Sequence, residues 1–570
     1  MPEHTAASRL RLSGLCFLLQ ILNILLFAVF VRYSPEGSPG QCPWQLNCSR
    51  RIQDSAFQQP RFQDAHIQVL LSFGLLVAFL GRYGPGSAAI SILIIAFAIQ
   101  WALLIQGMLH FFLNGKIYVG AQRSSGMQGQ GCRLSSCPRP AVLIPGSASS
   151  MFPLLPSMVS ADFCTAAVLI STGAVLGRVN PVQMLMLALM EVILCTLNEY
   201  ILLSLMGTNP LSPPPPRLFR THQVSDHGRS LTVHTFGAYF GLMVSRVLYQ
   251  PHKDKRKREE QQDMGHQTDF FAVAGTIYLW IFWPSFTSTT TAQDNTENWA
   301  VLNTYFSLVA STVATFILSP VLYEESTPRM VGSLTTNLIP EEESSPSQSH
   351  ADALHGLSSP YHVLLHQVQI QDATLAGVAV MGMAGEMLVT PFGALIAGFL
   401  VGLISPLGFR FFTPVLRSRL KIQDTCGVHN THGLPGILGA LLGTLLTLLA
   451  TADTYGDRLE LVFPLVAQGS RTVTYQALMQ LSALPLTLLL AVLGGWLTGE
   501  FCLQCNRMEG AAPFSFLISS RAAQKGHKDL ENGSFFDTAI LLRPPWLNKQ
   551  LTKMEFTVFP PQGENTASWS

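Results

Sequence analysis

Twelve stretches of mostly apolar residues, each close to the roughly 20 that an α-helix needs to cross a bilayer, dominate this 570-residue sequence. They lie near 14–33, 66–84, 88–112, 161–180, 181–206, 230–249, 270–288, 299–323, 370–389, 391–412, 432–451 and 475–500. The pattern predicts an all-α polytopic membrane protein of about 12 transmembrane helices. Charge agrees with it: 12% of residues are charged, against about 25% in an average soluble domain. The first stretch ends in Phe30-Val31-Arg32-Tyr33 with no small-x-small cleavage site, so it reads as a retained helix rather than a signal peptide.

Positive loop charge sets the expected orientation. Arg9 and Arg11 precede the first span, Lys253, Lys255, Arg256, Lys257 and Arg258 follow the sixth, and Arg410, Arg417, Arg419 and Lys421 follow the tenth. With twelve spans all three clusters fall on one side, expected to be the cytoplasm, with both termini. The expected division is a transmembrane domain over 1–500 and a cytoplasmic tail over 501–570. Asn47-Cys48-Ser49 is the one glycosylation sequon in an outer loop, whereas Asn532-Gly533-Ser534 lies in the tail. Segments 121–157, 207–222 and 324–366 are polar and lack periodicity. They are expected to be disordered insertions, either genuine loops or misjudged exon boundaries in the translated sequence.

A net charge of +1 provides no field for nucleic acid, and the aromatic residues are not interleaved with basic clusters. No nucleophile–base set or cofactor motif suggests an enzyme. No cofactor or metal is expected. Ten cysteines in a chain this long do not make a disulfide scaffold. Cys16, Cys164 and Cys195 read as buried thiols. The pairs Cys42/Cys48 and Cys132/Cys137 could each bridge if exported. Cys502 and Cys505 form a lone C-x-x-C better suited to juxtamembrane lipidation than to metal.

An ionisable group inside an apolar span is expensive, and so marks a functional candidate. His234 is followed by Gly237 and Gly241, and His432 by Gly436, Gly439 and Gly443. Glycines on one helix face let backbones approach closely in lipid, so each histidine is expected to point into a helix bundle. It then either lines a passage or simply bonds a neighbouring helix.

The runs Leu231 to Tyr249, Ile281-Phe282-Trp283-Pro284-Ser285-Phe286, Ala161-Asp162-Phe163-Cys164 and Ile422-Gln423-Asp424-Thr425-Cys426-Gly427-Val428-His429-Asn430 through Gly439 resemble the Rh glycoproteins of the ammonium transporter superfamily. The resemblance runs through all twelve spans, skips the three insertions and stops near residue 500. It implies one ammonium-transporter-type pore per protomer, a homotrimer in the plasma membrane, and ammonia or ammonium as substrate, with methylammonium and carbon dioxide left open. By the same resemblance His234 and His432 are twin pore histidines, and Phe163 and Phe286 narrow the outer entrance. Asp226 matches the carboxylate kept at the start of the histidine helix, and it could equally be a helix N-cap. Glu199 and Asp269 fall where the family places acids near the outer and inner mouths. His429 is read as structural. The competing expectation is a non-conducting Rh-type scaffold, but such relatives lack the twin histidines.

The physics suits a passage for the neutral species. A bare ammonium ion in an apolar lumen would cost on the order of tens of kcal/mol, and ammonia far less. Removing the proton costs about 1.4 kcal/mol for each pH unit below ammonium's pKa, and imidazole nitrogens can replace the hydrogen bonds lost from water. Outer acids and aromatic faces can attract the cation first. The chain also departs from the family. After Asp226 the family usually continues Ala-Gly-Gly, where this chain has His227-Gly228-Arg229, and Val378 replaces a typical glycine. Arg229 could repel ammonium or pair with an acid.

Overall fold

The structure is a computed structural model that describes residues 6–33, 64–69, 85–114, 117–119, 158–205, 224–250, 267–289, 299–322, 375–388 and 390–511. Asn47 and the three insertions lie outside the described residues. The chain divides into two compact units, Met1–Asn506 and Arg507–Ser570, and of the second only 507–511 are described.

In chain order the long helices are α1 (Ala6–Phe30), α2 (Pro85–Asn114), α3 (Met158–Val175), α4 (Pro181–Tyr200), α5 (Phe236–Val247), α6 (Gln267–Ser288), α7 (Trp299–Leu322), α8 (Ala376–Ala384), α9 (Pro391–Leu407), α10 (Leu434–Leu448) and α11 (Val473–Ala511). Eight candidate membrane spans, long and apolar enough to cross, lie on helices among the described residues. Eleven of the twelve predicted spans fall on these helices, while the second lies mostly outside the described residues. Two three-residue strands, β1 (Val31–Tyr33) and β2 (Ile117–Val119), pair in parallel with Val31 opposite Ile117. Otherwise the described elements are helical.

Local chemistry sets the helix ends. Asn180 and Gln183 form a reciprocal capping box at the start of α4, with Pro181 in the first turn. α8 is shorter than the span expected over 370–389. It ends at Ala384, and the Asn303 side chain on α7 donates to the carbonyls of Gly385 and Leu388, both at 2.9 Å, supplying partners that the broken helix leaves unmet. Non-helical backbone at membrane depth is tolerated where protein satisfies it in this way.

α3 packs along α5, α8 along α10, and α7 along α9. The approaches are close because glycine lies at the crossings. A Cβ on Gly237 would stand 2.6 Å from the Ala167 carbonyl oxygen of α3, and one on Gly439 would stand 2.5 Å from the Val380 carbonyl oxygen of α8. The largest cluster of buried apolar residues gathers around α3, α5 and α6 and includes Phe163, Phe236, Phe240, Trp283 and Phe286. Val378 is fully buried in it. Phe17, Leu18, Leu25 and Val29 of α1 stay largely exposed, as lipid-facing side chains must.

Two cysteine expectations are corrected. Cys16 is only half-buried, because α1 lies at the periphery, whereas Cys164 and Cys195 are buried. Cys502 is 1% exposed, which closes its thiol to lipidation, and its carbonyl accepts from the Gln183 side chain.

Candidate functional site

The two histidines, 198 residues apart in sequence, meet. Their Nδ1 atoms are 3.2 Å apart, with the rings nearly parallel at 7° and the centroids 5.3 Å apart. Both are buried. At that distance one Nδ1 must donate and the other accept, so the pair shares a single proton between these atoms. The Nε2 atoms are then unlike, one a bare acceptor and the other an N–H donor. Nε2 of His234 is buried without a hydrogen-bond partner.

Each histidine rides on a widened helical turn. Residues Ser230–Thr235 form a π turn leading into α5, in which His234 N donates to the Arg229 carbonyl five residues back. Residues His429–Gly433 form a second π turn leading into α10. Such turns leave N–H groups that need acceptors, and in both cases an aspartate eight residues before the histidine supplies them. The carboxylate of Asp226, 1% exposed, accepts from Leu231 N at 3.1 Å, Thr232 N at 2.9 Å and the Thr232 hydroxyl at 3.1 Å. Asp424 accepts from Val428 N at 2.9 Å and His429 N at 2.8 Å. Asp424 lies in the connection between α9 and α10. Burial pushes its carboxyl up to about 6 against the opposing pull of the His429, Val428 and Gly427 N–H groups and of Arg417. The repeated Asp-x7-His spacing was readable in the sequence, but the reading above assigned only Asp226 a role.

Trp283 is a second residue that sequence reasoning missed. Its ring stacks on His234 at 5.5 Å and 25°, and it lies 6.0 Å from His432. The available signal was its position one turn before Phe286 on α6. Phe286 meets Phe163 of α3, ring centroids 4.5 Å apart and planes at 57°, with both side chains buried. The order Phe163/Phe286, Trp283, His234/His432 is therefore set by four elements converging: α3, α6 and the two π turns.

At the Phe163 end, Glu199 on the last turn of α4 is bound by Arg229 at 2.9 Å, and Glu386 by His227 at 2.8 Å. Of the two possibilities for Arg229, pairing with an acid is the one observed. Beyond the histidines, the His429 ring meets the Tyr239 hydroxyl at 3.4 Å and the edge of Phe412. Asp269 belongs to the first turn of α6, and its side chain lies outside the described residues.

The model of the ammonium transporter family matches residues 23–336 and 362–509. The chain belongs to the ammonium transporter family. Among similar relatives are proteins named ammonium transporter Rh type B. The Bos taurus protein is 45% identical over 498 residues, covering 87% of this chain and 90% of the relative. The Homo sapiens protein is 43% identical over 499 residues, covering 87% and 89%. The Rh glycoprotein resemblance read from the sequence runs is thereby upheld, and this family member is a multi-pass membrane protein. A solved structure of Nitrosomonas europaea Rh50, of the Rhesus family of channels, shares the fold with a TM-score of 0.51 at 24% identity. It covers 87% of this chain and 97% of that one.

Proposed function

We propose that this chain forms an ammonia channel of the plasma membrane. Three protomers, each with its own pore, would assemble with both termini in the cytoplasm and a glycan on Asn47. The observation that supports this reading is the buried histidine pair, whose shared Nδ1 proton leaves one Nε2 acceptor and one Nε2 donor. Ammonia, both a donor and an acceptor, complements the two, and the unpartnered Nε2 of His234 is a vacant position for one of its bonds. A cation would gain nothing from the donor nitrogen and would lose its hydration.

Phe163 and Phe286 close the outer side against water and hydrated ions. Trp283 fixes the plane of the histidine rings. Asp226 and Asp424 act through the π turns that carry the histidines, and not by touching substrate. Glu199 and Asp269 are the carboxylates of the outer and inner mouths, with the charge of Glu199 paired to Arg229. The test is stopped-flow ammonia entry into proteoliposomes, comparing the wild type with His234→Ala and His432→Ala. Faster luminal alkalinisation than in empty liposomes, lost in either variant while trimers persist, is the expected result. A folded wild type no faster than empty liposomes would favour the non-conducting scaffold reading instead.

A further inference from the structure

Where the chain departs from its family after Asp226, two basic side chains end on carboxylates. His227 reaches Glu386, and Arg229 reaches Glu199. Arg229 is the more constrained of the two. It is 2% exposed, and its guanidinium carbon stands 4.8 Å from the centre of the Phe163 ring. Its Nε is buried without a partner. Its backbone has φ 71°, in the left-handed region where glycine is at ease and an arginine is strained. Residue 229 is also where the resemblance leads one to expect glycine. A strained, buried cation therefore persists at this point, held by one carboxylate and one aromatic face.

Those two partners are what a vestibule would use to collect ammonium: a negative group and the π face next to the constriction. In this chain both are already occupied by a cation of the chain's own. A second cation brought beside it meets a compensated Glu199 and like-charge repulsion in surroundings less polar than water.

We propose that Arg229 determines which species the outer mouth accepts, by filling the ammonium-collecting carboxylate and aromatic face with its own guanidinium so that entry is left to neutral ammonia. This inference rests on the channel reading above. It has a direct kinetic consequence. Entry of the neutral base follows ammonia concentration, which at fixed total ammonium rises tenfold per pH unit below ammonium's pKa. Entry by collection of the cation saturates with total ammonium and depends only weakly on pH.

The test measures initial flux in proteoliposomes against total ammonium and against external pH, for the wild type, Arg229→Gly and Arg229→Met. Glycine suits the backbone, whereas methionine keeps the stem and removes the charge. The wild type is expected to follow ammonia without saturating. Both variants are expected to saturate with total ammonium, with half-saturation at least tenfold below the highest concentration at which wild-type flux is still linear, and to flatten the pH profile, and adding Glu199→Gln should remove that gain. Flux that still follows ammonia without saturating, with the wild-type pH profile, in whichever variant forms trimers would overturn the proposal. So would a wild type that itself saturates with total ammonium independently of pH, a result that needs no variant. Flux no faster than empty liposomes from every protein would instead remove the channel reading and leave the Arg229 pairing as a structural fact.

Discussion

Replacing Asp226 with asparagine tests whether the histidine pair is held from outside itself. The carboxylate takes Leu231 N, Thr232 N and the Thr232 hydroxyl, and its second oxygen also lies 3.3 Å from Leu231 N. Asparagine can keep one oxygen in place, but its amide then points a donor at the Leu231 donor. Hydrogen bonds to a charged group are worth about 1.5–3 kcal/mol and neutral ones about 0.5–1.5, so three weakened bonds with one reversed should destabilise the turn by about 2–4 kcal/mol. The turn ends on His234, whose contact with His432 is 3.2 Å. A shift of only a few tenths of an ångström takes that contact past hydrogen-bond distance. Losing a neutral bond of about 0.5–1.5 kcal/mol from the conducting geometry corresponds to a two- to tenfold slower flux. The assay pairs proteoliposome flux with thermal unfolding of the detergent-solubilised trimer. Wild-type flux and unfolding temperature in Asp226→Asn would refute the reasoning, since the turn would then stand without the carboxylate.

Gly237→Ala should destabilise the protein by about 1–3 kcal/mol by overpacking, because the new methyl would lie 2.6 Å from the Ala167 carbonyl and force α5 off α3. Thermal unfolding checks this, and an unchanged midpoint would mean that the crossing can open without cost. Asp424 gives a pH prediction. Its carboxyl, normally near 3.8, is raised to about 6 in the folded protein. The folded state therefore binds the proton more tightly than the unfolded one. The stability this contributes is complete below pH about 4 and is lost as pH rises through about 6. Unfolding measured at pH values across that window should show the wild type losing stability relative to Asp424→Asn, and parallel curves would contradict it.

Hydropathy made most of the helices legible, because lipid imposes a length and an apolar character that few other folds share. It overestimated α8, because apolar content does not report where backbone bonding switches to a partner, and the Asn303 amide that closes the helix end is distant in sequence. The histidines were visible as polar groups in apolar runs. Their mutual contact was not, because spacing within one helix says nothing about the rotation of another. The same limit hid Trp283: tryptophan in a span is ordinary, and only the convergence of α6 with both π turns gives it a histidine to stack on. The Arg229–Glu199 pair was legible only as one of two possibilities, since thirty residues separate the partners.

The π turns make these observations one device. In a regular α-helix each residue turns the chain by about 100°, so the extra residue of a π turn rotates every following side chain relative to those before it. His234 and His432 both stand near the ends of such turns, and their orientation therefore depends on the turn being kept. An isolated π turn is poorly bonded and needs acceptors from outside. Asp226 and Asp424 supply them from the same distance in sequence, each on the approach to its own helix. The chain thus carries two copies of a single unit, aspartate, widened turn and histidine, which meet through a shared proton between two Nδ1 atoms. That economy explains why Arg229 can alter the outer mouth without disturbing the histidines. It contributes a carbonyl to the turn through its backbone and a charge to the vestibule through its side chain, and any other residue able to adopt the same backbone conformation would leave the first contribution intact.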